Sequence, residues 1–247
     1  MSELKDKTVK GVFWSAVDRF SAKGIQFVFS ILIARLLVPE DYGVIAMLGI
    51  FLGVSQSFID SGFGTALIRK IDRTETDFST VFYFNIAVAI TFYLGLFIAA
   101  PAIADFYNTQ LLVPVTRIVA LTLPIGALAG IHDAKLSIAI DFKSRAKISI
   151  VSAILTGLVG LWMAYSGYGV WALVIQTVFA SLLRTIMLWI IVKWRPQLVF
   201  SWKSFKELFS FGSKLLACWE GKPRLPRNIP SFPDSIGNLN KNGTNPN

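Results

Sequence analysis

Cationic and amide side chains recur at helical spacing in the first apolar segment of the chain. One helix face carries, at intervals of four, three and four residues, Arg19, Lys23, Gln26 and Ser30. The uncharged stretch beside them covers only residues 24–34, which is too short to cross a bilayer, so Arg19 and Lys23 must enter the membrane zone. If this stripe faces a watery space between helices, it predicts binding of an anion such as a phosphate.

Two other apolar segments carry polar residues on one helix face. Gln56 and Asp60 are four residues apart, and Thr177, Ser181 and Arg184 follow one another at helical spacing. We predict a substrate-binding cavity lined by the following residues: Arg19, Lys23, Gln26, Gln56, Asp60 and Arg184. The alternative is structural: Asp18 pairs with Arg19, while Lys23 and Arg184 extend along their own stems to the membrane surface.

The chain is poor in residues that carry covalent or metal chemistry. Cys218 is the only cysteine and His132 the only histidine, which excludes disulfide frameworks, zinc sites and His-based triads within one chain. His132 precedes Asp133 in what reads as a loop, and this pair is a weak candidate for a general base. We predict no catalytic residue, no metal and no cofactor.

The composition predicts a membrane protein. Hydrophobic residues make up 54% of the 247 positions, charged residues only 16%, and the mean hydropathy is +0.59. Apolar segments predict an all-α, polytopic helix bundle with about six transmembrane helices near residues 12–38, 42–67, 78–103, 112–131, 147–166 and 169–193. A turn-forming cluster at residues 165–169 divides the last two helices. Trp194 and Trp202 are expected to be interfacial anchors.

The charge distribution predicts the orientation. Basic residues fall in alternate connections, around residues 5–10, 69–73, 135–147 and 193–206, whereas only Arg35 and Arg117 lie near the other side. The positive-inside rule therefore places the amino terminus in the cytoplasm. Because the net charge of +9 is divided among short connections, a nucleic-acid partner is not expected.

The domain organisation follows from these segments. We predict a cytoplasmic amino terminus at residues 1–10, a six-helix transmembrane lobe at 11–194, a linker with the start of a seventh helix at 195–216, and a disordered, non-native tail at 217–247. The tail interrupts the apolar start of a helix near Phe209, so truncation or a change of reading frame is a hypothesis that the downstream gene sequence would test.

Several ordered stretches resemble one transporter family. These are residues 11–16, 32–43, 60–70, 82–85 and 209–216. Together they are similar to the amino-terminal half of polysaccharide transporters and lipopolysaccharide O-antigen flippases, in the colanic acid exporter-like branch of the multidrug/oligosaccharidyl-lipid/polysaccharide exporter superfamily. The resemblance covers about residues 1–216, and no single stretch is diagnostic.

The resemblance implies a multi-pass protein of the bacterial inner membrane that moves an undecaprenyl-pyrophosphate-linked oligosaccharide outward by alternating access. Its expected partners are the lipid bilayer, this glycolipid and other polysaccharide assembly proteins. The family has two six-helix lobes around a cationic cavity, and this chain resembles one lobe. The alternatives are a nonfunctional remnant, an assembly partner of a transporter, or a membrane-embedded polysaccharide polymerase or acyltransferase, although no enzyme is expected.

Overall fold

Eight α-helices of seven or more residues form most of the described part of the chain. The computed structural model describes residues 20–60, 63–70, 72–139, 141–202 and 204–206. In these ranges there is no strand, and the helices are α1 Phe20–Ala34, α2 Pro39–Asp60, α3 Phe63–Arg69, α4 Glu75–Phe106, α5 Leu112–Val119, α6 Thr122–Ile138, α7 Phe142–Tyr165 and α8 Val170–Ile191. The predicted segments 1–10 and 217–247 lie outside the described residues, as does Arg19.

Five of the six predicted membrane spans correspond to long helices, although the second, predicted at 42–67, ends at Asp60 and is followed by the separate helix α3. These five helices are long and apolar enough to cross a bilayer: Pro39–Ile59, Glu75–Phe106, Leu112–Ile138, Phe142–Tyr165 and Val170–Ile191. The first predicted helix is described only from Phe20 to Ala34. The all-α, polytopic membrane bundle is therefore confirmed. The fourth span runs seven residues beyond its predicted end, so that His132 and Asp133 lie inside a helix and not in a loop.

Local sequence explains where the helices begin and end. Thr74 and Asp77 form a reciprocal capping box at the start of α4, and Asp141 accepts a hydrogen bond from the Ser144 N–H at the start of α7. Gly167 and Gly169 both have positive φ, 78° and 52°, in the turn between α7 and α8. The predicted hairpin at residues 165–169 is thus confirmed.

A proline divides the fourth span into α5 and α6. Pro124 has no N–H to donate to the Ala120 carbonyl, which instead accepts from the Leu123 N–H at 3.0 Å. The next helix carries hydroxyl donors that reach the carbonyls exposed near this break. Ser181 donates to Thr122 O at 3.4 Å and Thr185 to Ile125 O at 3.0 Å. Side chains of α8 therefore hold the start of α6 in place.

Glycines of α7 allow close approach of its neighbours. A Cβ built on Gly157 would lie 2.2 Å from the ring of Phe29 in α1, and one on Gly160 would lie 2.6 Å from the side chain of Gln176 in α8. Small residues at helix contacts of this kind are typical of membrane bundles, because they let backbones come close. These two positions fix the seam along which α7 packs.

The helix ends form two faces with different charge. One of them, which we call the basic face, contains the ends of α3, α6 and α8 and the starts of α4 and α7. Its cations are Lys70, Arg73, Lys135, Lys143, Arg145, Lys147, Lys193 and Arg195. The opposite face contains the turns at 35–38, 107–111 and 166–169. There the carboxylate of Asp41 lies beside Gly169, so the start of α2 meets the α7–α8 turn.

Four residues on the basic face contact one another: Glu75, Phe78, Lys135 and Trp194. We call them the basic-end cluster. Lys135 Nζ lies 2.9 Å from Glu75 Oε1, 4.3 Å from the centre of the Phe78 ring and 4.9 Å from that of Trp194. The indole N–H of Trp194 donates to the same carboxylate. Trp194 is only 9% exposed, so its predicted role as an interfacial anchor is wrong, whereas Trp202 is 61% exposed.

Candidate functional site

A polar cavity of about 920 Å³ lies among five helices. Its walls come from α1, α2, α6, α7 and α8, and the polar or charged lining residues are Lys23, Gln26, Gln56, Thr122, Asp133, Arg145, Ser149, Ser152, Thr156, Ser181, Arg184 and Thr185. A cavity of this size is in the range that accepts small-molecule ligands. Three cations stand against one carboxylate on its wall, which favours an anion.

The structure brings four of the predicted site residues onto this cavity: Lys23, Gln26, Gln56 and Arg184. Asp60 is the last residue of α2, and its side chain is not described, while Arg19 lies outside the described residues. Thr177 is exposed outside the lining, and its hydroxyl donates to Leu173 O. The role of these residues in substrate binding stays a prediction.

Arg184 makes the ion pair that defines one wall. Its Nη2 lies 2.6 Å from Asp133 Oδ2, and the two side chains are 50% and 25% exposed. Arg184 therefore keeps donors toward the open space while one edge of its guanidinium is held by Asp133. Sequence reasoning missed Asp133 as a wall residue because the fourth helix was expected to end at 131.

The wall contributed by α7 was also missed. Arg145, Ser149, Ser152 and Thr156 follow one another at intervals of four, three and four residues. This is the same spacing as in the polar stripe of the first helix, so the signal was present in the sequence. Arg145 Nη1 also lies 3.3 Å from Ser137 Oγ, which orients this cation from α6.

Glycines keep the floor of the cavity open. Gly126 and Gly130 both line it, and a Cβ added at either would have no neighbouring atom within 4 Å. Neither glycine backs onto another helix in the described residues. Both positions therefore widen the cavity, in contrast with Gly157 and Gly160.

His132 does not line the cavity. Its side chain is fully buried, and its ring centre lies 4.7 Å from that of Trp189 and 5.5 Å from that of Trp194. A general base must come within hydrogen-bond reach of the proton that it removes. The imidazole instead fills the space behind the basic-end cluster and has a packing role.

Comparisons with known proteins agree with this architecture. A protein family described as "Polysaccharide biosynthesis protein" matches residues 32–219. The teichuronic acid biosynthesis protein TuaB of Bacillus subtilis is 28% identical over 86% of this chain and 44% of its own length. The succinoglycan biosynthesis transport protein ExoT of Rhizobium meliloti is 28% identical over 83% of this chain and 42% of its own length.

A third relative is the lipopolysaccharide biosynthesis protein WzxC of Escherichia coli, which is 21% identical over 48% of this chain and 24% of its own length. No solved structure matches the chain. The chain thus spans less than half the length of the curated relatives that it matches. The resemblance to polysaccharide transporters is confirmed, and this multi-pass membrane chain belongs to the polysaccharide biosynthesis protein family.

Proposed function

We propose that this chain forms one lobe of a translocase that moves lipid-linked oligosaccharide or polysaccharide repeat units across the bacterial inner membrane. The observation that carries the proposal is the cavity among five helices, where Lys23, Arg145 and Arg184 face a single carboxylate, Asp133. An undecaprenyl-pyrophosphate-linked glycan presents its negative charge at the pyrophosphate. Lysine and arginine donors bind such a group through charge-assisted hydrogen bonds.

The remaining lining suits the sugar end of such a substrate. Gln26 and Gln56 offer amide donors and acceptors, and Ser149 and Ser152 offer hydroxyls. Glycan hydroxyls are recognised by groups of this kind. The binding role proposed for Arg19 and Asp60 rests on their positions in the sequence, on the same helix faces as Lys23 and Gln56.

Alternating access needs a second helix bundle that moves against this one around the shared site. Relatives named as transport proteins are more than twice as long as the part that this chain matches, which supports a two-lobe machine in that group. In our proposal the second lobe comes from further chain or from another copy. The burial of His132 makes polymerase or acyltransferase chemistry the weaker alternative.

The proposed orientation places the basic face in the cytoplasm. Eight cations of the described residues lie on that face, against Arg35 and Arg117 near the other, as the positive-inside rule requires. A single-cysteine variant carrying Cys218→Ser and Lys147→Cys tests this in whole cells. We expect a membrane-impermeant maleimide to label it only after permeabilisation, and labelling of intact cells would reverse the proposed topology.

Binding of a pyrophosphate lipid to the purified full chain in nanodiscs tests the site itself. We expect undecaprenyl pyrophosphate to bind the native chain, and Lys23→Gln with Arg184→Gln to weaken binding by about a hundredfold or more, since each of the two lost charge-assisted contacts is worth about 1.5–3 kcal/mol. The control is Lys143→Gln with Lys147→Gln, which removes two cations of the basic face that lie outside the cavity.

The outcomes separate the competing functions. Equal binding by the native chain and by the double variant would reject the cavity as the pyrophosphate site. Complementation of a flippase-deficient strain by the native chain would show transport. If the chain binds the lipid in the cavity but complements only together with a second lobe, the one-lobe proposal stands. If it neither binds nor complements, it is a remnant or an assembly partner.

A further inference from the structure

A second, apolar groove lies on the exposed side of α8. It has a volume of about 710 Å³, and its apolar wall is formed by Leu182, Ile186, Trp189 and Ile190 of α8 with Leu128 of α6. Leu182, Ile186 and Ile190 are spaced by four residues and are 42%, 46% and 68% exposed. These side chains point away from the cavity, which lies against Ser181 and Arg184 of the same helix.

Two cations close the groove at the basic face. Lys193 and Arg195 both line it and are exposed, and among the described residues no carboxylate lines it with them. Arg195 Cζ lies 5.2 Å from the centre of the Trp189 ring, so the guanidinium is held at the rim. The indole N–H of Trp189 donates to Leu128 O, which leaves the apolar ring as the surface of the groove.

The chain beyond Arg195 does not cover the groove in the described residues. It turns toward α4, where the Gln197 N–H donates to Ser79 Oγ and the Ser201 N–H to Thr80 Oγ1. Phe205 then packs against Phe84, with 4.9 Å between ring centres. Between Gln197 and Phe205 the described chain therefore packs against α4 and not over the groove.

We propose that this groove is a binding site for one anionic phospholipid, with its phosphate between Lys193 and Arg195 and an acyl chain along α8. The apolar wall from Leu182 to Ile190 is about 12 Å long, against about 15 Å for one leaflet of hydrocarbon. A phosphodiester supplies a negative charge that can pair with both cations. The groove and the cavity lie on different sides of α8 and adjoin at Thr185, which lines both. The proposed lipid site does not depend on the proposed transport function.

Native mass spectrometry of the detergent-purified full chain tests the site with defined lipids. We expect one phosphatidylglycerol to be retained in preference to phosphatidylcholine. Lys193→Gln with Arg195→Gln should reduce this retention by about 25-fold, since each cation near an anionic headgroup contributes about fivefold. The matched control, Lys143→Gln with Lys147→Gln, removes the same charge from the same face outside the groove and should bind as the native chain does.

Two more variants make the result specific to the groove. Ile186→Trp keeps both cations but fills the groove with a larger side chain, so this variant should also lose the bound lipid. Lys23→Gln with Arg184→Gln changes only the cavity, so this variant should still retain the phospholipid. The result separates the groove from the proposed pyrophosphate site. Unchanged retention after either groove variant, equal retention of phosphatidylcholine, or preferential retention of undecaprenyl pyrophosphate would each overturn the proposal.

Discussion

Lys135 and Arg184 are both cations in the transmembrane helices, and each lies within hydrogen-bond distance of one carboxylate, but their surroundings differ. Lys135 has Glu75 at 2.9 Å and two aromatic faces around its ammonium, in the basic-end cluster. Arg184 has Asp133 at 2.6 Å and otherwise faces the open cavity, where its side chain is 50% exposed. The first arrangement uses its charge to join helices, whereas the second leaves donors for a ligand.

This difference teaches that the charge of a residue in an apolar helix does not reveal its role. Intramembrane cations are functional candidates by default, but a cation held by a carboxylate and two aromatic rings is already engaged by groups of its own protein. The cavity and the basic-end cluster should therefore respond differently to substitution. Changes in the cluster should lower stability, and changes in the cavity should alter binding while stability is largely kept.

The largest effect is expected when the basic-end cluster loses its central ring. Trp194→Ala removes a side chain that is 9% exposed, that packs against Phe78, Phe82 and His132, and that donates to Glu75. We expect a loss of about 3–5 kcal/mol, as for other buried Trp to Ala changes. Thermal unfolding of the detergent-solubilised chain measures it.

The control for this change is Trp162→Ala, because Trp162 is 66% exposed on α7. Its removal should leave the unfolding temperature nearly unchanged, since an exposed side chain makes few internal contacts. Equal destabilisation by both variants would mean that the basic-end cluster does not join the helices. The contrast between a structural face and a binding cavity would then have no support.

The second-largest effect on stability is expected when a glycine at a helix contact, rather than one in the cavity, is replaced. Gly157→Ala places a Cβ 2.2 Å from the Phe29 ring, so α1 and α7 must separate, and we expect a loss of about 1–3 kcal/mol. Gly126→Ala is the matched control, because its Cβ enters the empty cavity. That variant should be neutral or up to about 1 kcal/mol more stable, since alanine favours the helix. Unfolding temperatures of the two variants give the comparison.

A bulkier residue at position 126 also tests whether the cavity binds the lipid. Gly126→Leu should keep the unfolding temperature close to that of the native chain but reduce binding of the pyrophosphate lipid, because the side chain occupies the cavity. If Gly126→Leu is as unstable as Gly157→Ala, then the space beside Gly126 is closed in solution. The distinction between the two kinds of glycine would then be lost.

The helices were predictable because length and hydropathy decide them. Uncharged runs of about 20 residues must become helices in a bilayer, and the cluster at residues 165–169 contains the two glycines whose positive φ makes the turn. The extension of the fourth span to Ile138 was missed because its last turns carry charges. Asp133 and Lys135 are neutralised there by Arg184 and Glu75, and neither partner is close in sequence.

The site was only partly predictable for a related reason. A stripe at intervals of four, three and four residues identified Lys23 and Gln26, and the same spacing in α7 was available for Arg145 and Ser149. The sequence does not say which face of α7 meets the cavity. Likewise Gly126 and Gly157 look alike in sequence, and only packing separates an open position from a contact.

A third, smaller effect concerns the ion pair on the cavity wall. A double-mutant cycle with Arg184→Gln and Asp133→Asn should give a coupling energy of about 0.5–1 kcal/mol, because half-exposed pairs are screened by water. Unfolding of the two single variants and the double variant measures this energy. A coupling above about 3 kcal/mol would mean that Asp133 holds Arg184 as tightly as a buried pair, which would deny the substrate this cation.

The smallest effect is a pH dependence at the basic face, at a carboxylate whose partners are all local. Hydrogen bonds from the Ser144 hydroxyl at 2.6 Å and the Ser144 N–H at 3.0 Å, with the charges of Lys143 and Lys147, hold the pKa of Asp141 below its ordinary value. Because the pKa is depressed in the folded chain, its stabilising effect is present above about pH 4 and is lost as the pH falls through the folded value.

Asp141→Asn isolates this charge, because asparagine caps a helix about as well as aspartate. We expect the native chain to be more stable than the variant by at most about 1 kcal/mol at pH 7, and the difference to vanish as the pH is lowered below 4. Ser144→Ala should reduce the same pH dependence by removing the hydroxyl donor. A difference that persists at low pH would assign the effect to capping geometry, and one that is absent at pH 7 would show that the Asp141 charge does not contribute to holding α7.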